Sequence, residues 1–185
     1  MVSKKAFAEA MRLLLDNGFR FTIIGGTIIA LAVSSDDLGP DVDVFAEHPN
    51  VTDEQRYLSA AEANSWDYGQ TWLGTPRLTI VVQGEEVPVE FYDNIYDFYV
   101  PERFIRDARR VEVEGVRVRM LTPEQYLVLK GRAGRDVDEE ALKQIGELVR
   151  KGRLKVDADR IREAAKEFED ERIIIRRLAQ YRIIS

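Results

Sequence analysis

A chain of 185 residues, 45% hydrophobic and 32% charged, is long enough for one folded domain with a real core, or for one domain with a small appendage. Its net charge of −6 argues against indiscriminate coating of nucleic acid and leaves room for a local basic patch. Cysteine is absent, which excludes disulfides, thiolate zinc sites and cysteine nucleophiles, and the single histidine, His48, excludes any site built on two.

Ser3 to Asn17 predicts an amphipathic helix, with Phe7, Met11, Leu14 and Leu15 at helical spacing and Gly18 at the C-cap. Its apolar stretch also carries Glu9, Arg12 and Asp16, and no cleavage site follows, so a signal peptide is not expected. No run reaches membrane-span length, and the expected compartment is the cytoplasm. Arginine outnumbers lysine 20 to 7, a composition that fits a thermophile. Phe21 to Ile24 predicts a buried strand, Thr27 to Val33 a short helix, Ser34 to Pro40 a polar loop and Val42 to Phe45 a strand. Thr52 to Ala63 predicts a helix, with Thr52 and Gln55 spaced as a capping box.

Three short strands are expected next, at Trp72 to Leu73, Arg77 to Val82 and Glu86 to Tyr92. The last two form a hairpin through Gln83-Gly84-Glu85, and Pro88 points to an edge position or a bulge. Trp66, Tyr68 and Trp72 are expected in the core rather than as a base-stacking platform. Pro101 to Arg106 predicts a helical turn, and Arg109 to Glu114 and Val116 to Met120 a second hairpin around Gly115. Thr122 as N-cap and Pro123 as first residue open a helix over Glu124 to Ala133. A second helix is expected over Val137 to Lys151, and a third, capped by Asp157, toward Tyr181. Strands therefore stop near Thr122. The expected organisation is α+β: a mixed twisted sheet with flanking helices over residues 1–121, and a helical region over 122–185 packed on it.

Asp41 and Asp43 lie one residue apart beside the apolar residues Val42, Val44 and Phe45, where a strand turns both toward one face. Aspartate is depleted in strands, and two adjacent carboxylates repel unless a cation lies between them. Two loop-end aspartates, one of them capping a turn, are the plainer alternative. Glu90 sits likewise inside Val87-Pro88-Val89-Glu90-Phe91; it is either a third member of that cluster or an ordinary glutamate on a polar strand face. A three-carboxylate cluster suits magnesium, which takes oxygen ligands. Gly25-Gly26-Thr27, between strand and helix, offers backbone N–H groups to an anion, although any strand-to-helix turn uses glycine. Arg77 is a further candidate for phosphate contact. Lys130, Arg132 and Arg135 read individually as a solvated face, Asp136 and Asp138 as caps of the next helix, and His48 as a loop residue.

These residues resemble the signature of the polymerase-β-type nucleotidyltransferase superfamily: Ile24-Gly25-Gly26, a spacer, then Asp41-Val42-Asp43-Val44. The chain is most similar to the small prokaryotic branch of minimal, antitoxin-type nucleotidyltransferases and AbiEii toxin-like proteins, over roughly Phe21 to Leu148. The third carboxylate is matched by Glu90, and Lys130 to Asp138 is similar to a downstream helical segment. The resemblance implies that Asp41 and Asp43 hold two magnesium ions. It implies that Glu90 ligates the metal activating the acceptor hydroxyl and helps to take its proton. Gly25, Gly26 and Thr27 would contact the β- and γ-phosphates of a nucleoside triphosphate, and Lys130 would reach the triphosphate. The implied reaction moves a nucleoside monophosphate from that triphosphate to a hydroxyl on an RNA, a protein or a small molecule. A catalytically silent binding module, such as the partner of a toxin or an antitoxin, is the alternative. The isoleucine-rich tail, Ile173 to Ile184, is either a helix on the domain's own core or a homodimer or partner interface.

Overall fold

Ser3 opens the first helix, α1 (Lys4–Asp16), by accepting a hydrogen bond on its hydroxyl from the Ala6 N–H at 3.2 Å. Phe7, Met11 and Leu14 form its buried stripe, and Gly18, at φ +84°, turns the chain out of it. In this computed structural model, which describes residues 1–185, the chain divides into two units, Met1–Leu121 and Thr122–Ser185.

The first unit continues with β1 (Arg20–Ile23), α2 (Thr27–Ala32), β2 (Val42–His48), α3 (Glu54–Asn64), β3 (Asp67–Gln70), β4 (Pro76–Val82) and β5 (Glu85–Tyr92). A short α4 (Glu102–Arg106) precedes the closing hairpin, β6 (Arg109–Val113) and β7 (Val116–Met120). All seven strands form one mixed sheet in the order β3-β4-β5-β2-β1-β7-β6, an α+β architecture. β2 runs parallel to β5 and β1 parallel to β7, while β1 and β2 pair antiparallel. Positive φ at both central residues shapes the two tight hairpins, Gln83-Gly84 (+52°, +84°) and Glu114-Gly115 (+48°, +79°).

One face of this sheet carries the core, where α1 packs. Phe19, Tyr57 and Phe91 form an aromatic cluster there, with ring centroids 5.0 to 5.6 Å apart. The long segment between α2 and β2 is anchored by the N-terminus: Val2 N–H donates to Gly39 O at 2.7 Å, Leu38 N–H donates to Val2 O at 2.9 Å, and Leu38 is buried.

Several local expectations fail for identifiable reasons. Trp72 and Leu73 lie in a turn rather than a strand, because Thr71 N–H bonds to Thr75 O and the two threonine hydroxyls meet at 2.7 Å. Trp72 is consequently 69% exposed rather than core. Pro88 lies on an interior strand, not an edge; it pairs with Thr79 and stands one residue before the first β2 rung, Val42–Val89. The Thr52 capping box does not form, because its hydroxyl bonds to Asn50 Oδ1 at 2.8 Å and the helix starts at Glu54.

The second unit holds α5 (Pro123–Ala133), α6 (Asp136–Arg150), α7 (Ala158–Ala165) and α8 (Glu171–Gln180). Thr122 and Gln125 complete a reciprocal capping box at the start of α5. The single helix expected after Asp157 is two, broken between α7 and α8. Gly131 permits the close approach of α8: a Cβ there would stand 3.2 Å from Ile174 and 3.3 Å from Leu178. Arg177 of α8 donates to the last carbonyls of α5, at Gly131 and Arg132, where a cation also suits the helix dipole. Ile174, Leu178, Ile183 and Ile184 are buried, so the tail is largely core, with Ile173 left 46% exposed. No helix of the chain is long and apolar enough to cross a membrane.

Candidate active site

Two adjacent strands place the carboxylates. Val42, Val44 and Ala46 of β2 are buried, as are Val87, Val89 and Phe91 of β5. Strand alternation therefore sends Asp43 and Glu90 to the opposite, polar face. The parallel register sets Val42 beside Val89, Asp43 beside Glu90 and Val44 beside Phe91, so the two acidic side chains are neighbours across the ladder. A slip by one residue would drive the charges into the core and the valines into water, which burial energetics forbid. Asp41 precedes β2 by one residue, shares the parity of Asp43 and is half-buried.

The row extends outward. Arg77 of β4 stands opposite Glu90, and Gly69 of β3 opposite Arg77. Arg77 Nη1 lies 3.9 Å from Glu90 Oε1. A Cβ on Gly69 would sit 3.6 Å from Arg77 Nε, so the guanidinium lies across the bare backbone of β3. Tyr92, two residues beyond Glu90 on the same strand face, donates its hydroxyl to Glu90 Oε2 at 2.5 Å. Burial, then that hydrogen bond and the charges of Asp43, Glu90 and Asp41, push the Tyr92 phenol far above its ordinary pKa. Its hydroxyl donates to Glu90 within the field of all three carboxylates.

The glycine turn meets this cluster from β1. Ile24 N–H donates to Asp43 O at 3.0 Å, and the chain then leaves the sheet beside the Asp43 side chain. Gly25 is required there by proximity: a Cβ on it would lie 2.6 Å from Asp43 Cβ and 2.8 Å from Cγ. Gly26 is the N-cap of α2 and Thr27 its first residue, so their N–H groups lack intrahelical acceptors. Thr27 is 1% exposed, yet its hydroxyl oxygen has no hydrogen-bond partner.

The structure thus brings together Gly25, Asp43, Glu90 and Tyr92 by contact or register, with Asp41 and Arg77 alongside. Tyr92 was not visible as a site residue from sequence; the signal available was its i, i+2 spacing from Glu90 in a strand. Lys130 belongs to α5 in the second unit, where its ammonium bonds Asp138 Oδ1 at 2.7 Å. His48 ends β2, exposed.

As the side chains stand, no group of three or more His, Cys, Asp or Glu converges to hold a metal ion. The donor chemistry nonetheless fits a hard cation, being oxygen alone on neighbouring strands. The orphaned, buried Thr27 hydroxyl beside open helix-start amides fits an anionic oxygen.

Among curated protein sequences, none matches significantly. Among solved structures, the chain is similar to an antigenic nucleotidyltransferase-like protein from Paracoccidioides brasiliensis. The likeness has a TM-score of 0.60 at 16% identity, over 97% of this chain and 88% of that one, and shows a shared fold. A second similar structure, the antibiotic-resistance factor ANT(2'')-Ia, has a TM-score of 0.45 at 12% identity, over 97% and 89% of the two chains. A family described as "Nucleotidyl transferase of unknown function (DUF2204)" matches residues 3–180, and the protein belongs to that family.

Proposed function

We propose that the protein is an enzyme transferring a nucleoside monophosphate from a nucleoside triphosphate to a hydroxyl acceptor, with magnesium held by Asp41, Asp43 and Glu90. The observation that carries this reading is the in-register pair Asp43–Glu90 on the polar sheet face, against the Gly25 turn. When bound, magnesium supplies Lewis acidity that favours the attacking alkoxide and the leaving pyrophosphate.

The chain's own residues do the rest. The Gly26 and Thr27 amides and the Thr27 hydroxyl donate to triphosphate oxygens. Glu90 takes the acceptor proton as the acceptor oxygen bonds to the α-phosphorus. The bond from that phosphorus to the bridging oxygen breaks, and pyrophosphate leaves with the electron pair. Little covalent work falls to the protein, so carboxylates, glycines and hydroxyls suffice in a chain without cysteine. The proposal does not rest on Lys130, whose ammonium is bound to Asp138.

Calorimetric titration with magnesium and nucleoside triphosphate tests the site. Binding by the wild type and its loss in Asp41→Asn with Asp43→Asn is the expected pair of results; unchanged binding in the double variant overturns the assignment. Transfer of labelled nucleotide onto RNA, protein or small hydroxyl compounds then identifies the acceptor class. A silent module, partnering a toxin or another protein, draws on one observation: Glu90 is already engaged by Tyr92 and Arg77. That reading predicts binding without transfer to any of the three acceptor classes.

A further inference from the structure

The two oxygens of Glu90 have unlike neighbours. Oε2 accepts the 2.5 Å bond from Tyr92. Oε1 faces Arg77 Nη1 at 3.9 Å, beyond hydrogen-bond reach. The donors differ as much as the distances. Tyr92 is 5% exposed, and its ring stacks on Phe98 at 5.0 Å between centroids and 25° between planes. A packed aromatic ring has two torsions and one place to put its oxygen. The Arg77 side chain is 45% exposed and long, and can move away without leaving a buried gap. One oxygen of Glu90 is fixed by a rigid neutral donor; the other is served by a loose cation.

We propose that Tyr92 is a positioning residue that anchors Glu90 through Oε2 and leaves Oε1 to a divalent cation, with Arg77 as the charge that the cation displaces. This rests on the reading of Asp41, Asp43 and Glu90 as a cation site. The chemistry of the donor supports it. A phenol orients a carboxylate without bringing a positive charge to it, whereas a lysine at this place would compete with the ion. Donors behind a ligand carboxylate fix its rotamer and typically govern metal affinity by one to two decades. Spacing supports it as well: residues two apart on a strand share a face, so the anchor and the anchored group rise from the same rigid element.

The test is a calorimetric titration of the full chain with manganese or magnesium alone, without nucleotide. Tyr92→Phe, which keeps the ring and its stack, is expected to bind the cation about tenfold more weakly than the wild type. In a Glu90→Gln background the same change is expected to do nothing further, because the anchor acts through Glu90. Wild-type affinity in Tyr92→Phe overturns the proposal, as does an equal loss in both backgrounds, which would mark a structural effect of the phenol. Asp43→Asn is run in parallel. Loss of binding in Asp43→Asn with none in Tyr92→Phe removes the role of Tyr92 and leaves the cation site standing; a wild type that binds no cation removes both. Should Tyr92→Phe fail to fold, Phe98→Leu loosens the stack without touching the carboxylate. It is expected to weaken cation binding about threefold, and wild-type affinity there overturns the proposal.

Discussion

Asp138 in the helical unit and Glu90 in the sheet unit are both carboxylates among apolar neighbours, and their surroundings treat them in opposite ways. Asp138 is fully buried and accepts four hydrogen bonds: from Lys130 Nζ at 2.7 Å, and from Arg135 Nε at 2.7 Å, N at 3.2 Å and Nη2 at 3.2 Å. Burial raises its pKa, but the hydrogen bonds from Arg135 and then Lys130, with their charges, outweigh that and hold the carboxyl below its ordinary value. Two cations surround one anion, and its lone pairs are taken. Glu90 has a neutral phenol at 2.5 Å and a guanidinium standing off at 3.9 Å. A carboxylate saturated by its own chain holds a fold together. One with an oxygen served across 3.9 Å keeps capacity for a ligand.

Substitutions that keep shape and remove charge separate the two kinds. In the sheet unit, Asp43→Asn is expected to lower nucleotide transfer by on the order of 10³-fold while the melting temperature moves little. Transfer within tenfold of the wild type would break the contrast, since Asp43 would then be as structural as Asp138. Gly25→Ala acts on the same carboxylate by crowding, because its Cβ would stand 2.6 Å from Asp43 Cβ. Overpacking there is expected to cost about 1–3 kcal/mol in urea denaturation and to weaken cation binding by displacing Asp43. A variant as stable as the wild type with full cation affinity would show that the turn yields without cost.

In the helical unit, Asp138→Asn is expected to cost about 2 kcal/mol, because it weakens hydrogen bonds from charged donors in a buried place. Cation affinity should stay at the wild-type value. The pH dependence carries a definite sign. The folded Asp138 holds its proton less readily than the unfolded one, so its stabilisation is fully present above the unfolded pKa of about 4. It is lost as the pH falls through the lower folded pKa. Denaturation curves from pH 6 down to pH 2 should therefore converge for the wild type and Asp138→Asn at the acid end. Curves that stay parallel would show that the Asp138 hydrogen bonds contribute nothing through its charge.

The same contrast explains what the sequence revealed. Asp41, Asp43 and Glu90 stood out because charge interrupts apolar alternation, a signal carried by single residues in order. The sheet that joins β2 to β5 could not be read that way, since Asp43 and Glu90 lie 47 positions apart and their pairing depends on register. Tyr92 passed as an ordinary strand-end aromatic, because its hydroxyl matters through what it touches. Asp138 was legible as a cap of the next helix and closes the capping box at the start of α6, while its bond from the Lys130 ammonium, eight positions away, depends on how two helices meet and left no mark in the sequence. The expectation for Trp72 failed because apolar surface predicts burial, and a turn tied by Thr71 and Thr75 left it in solvent.

The smallest expected effect sharpens the contrast most. Arg77 and Glu90 form an ion pair at 3.9 Å with the Arg77 side chain 45% exposed, a geometry worth under about 1 kcal/mol. If Arg77 neutralises Glu90 in place of a cation, its removal should help the cation. Arg77→Gln keeps the length and a donor while discarding the charge, so magnesium or manganese alone should bind up to about fivefold more tightly, the most that 1 kcal/mol allows. The gain should shrink with added salt, since an exposed guanidinium is screened. The variant should also behave additively with Asp138→Asn, as the two carboxylates share no partner. Weaker cation binding in Arg77→Gln would show the guanidinium working alongside the ion rather than in its stead, and Glu90 would then be as fully committed to its own chain as Asp138.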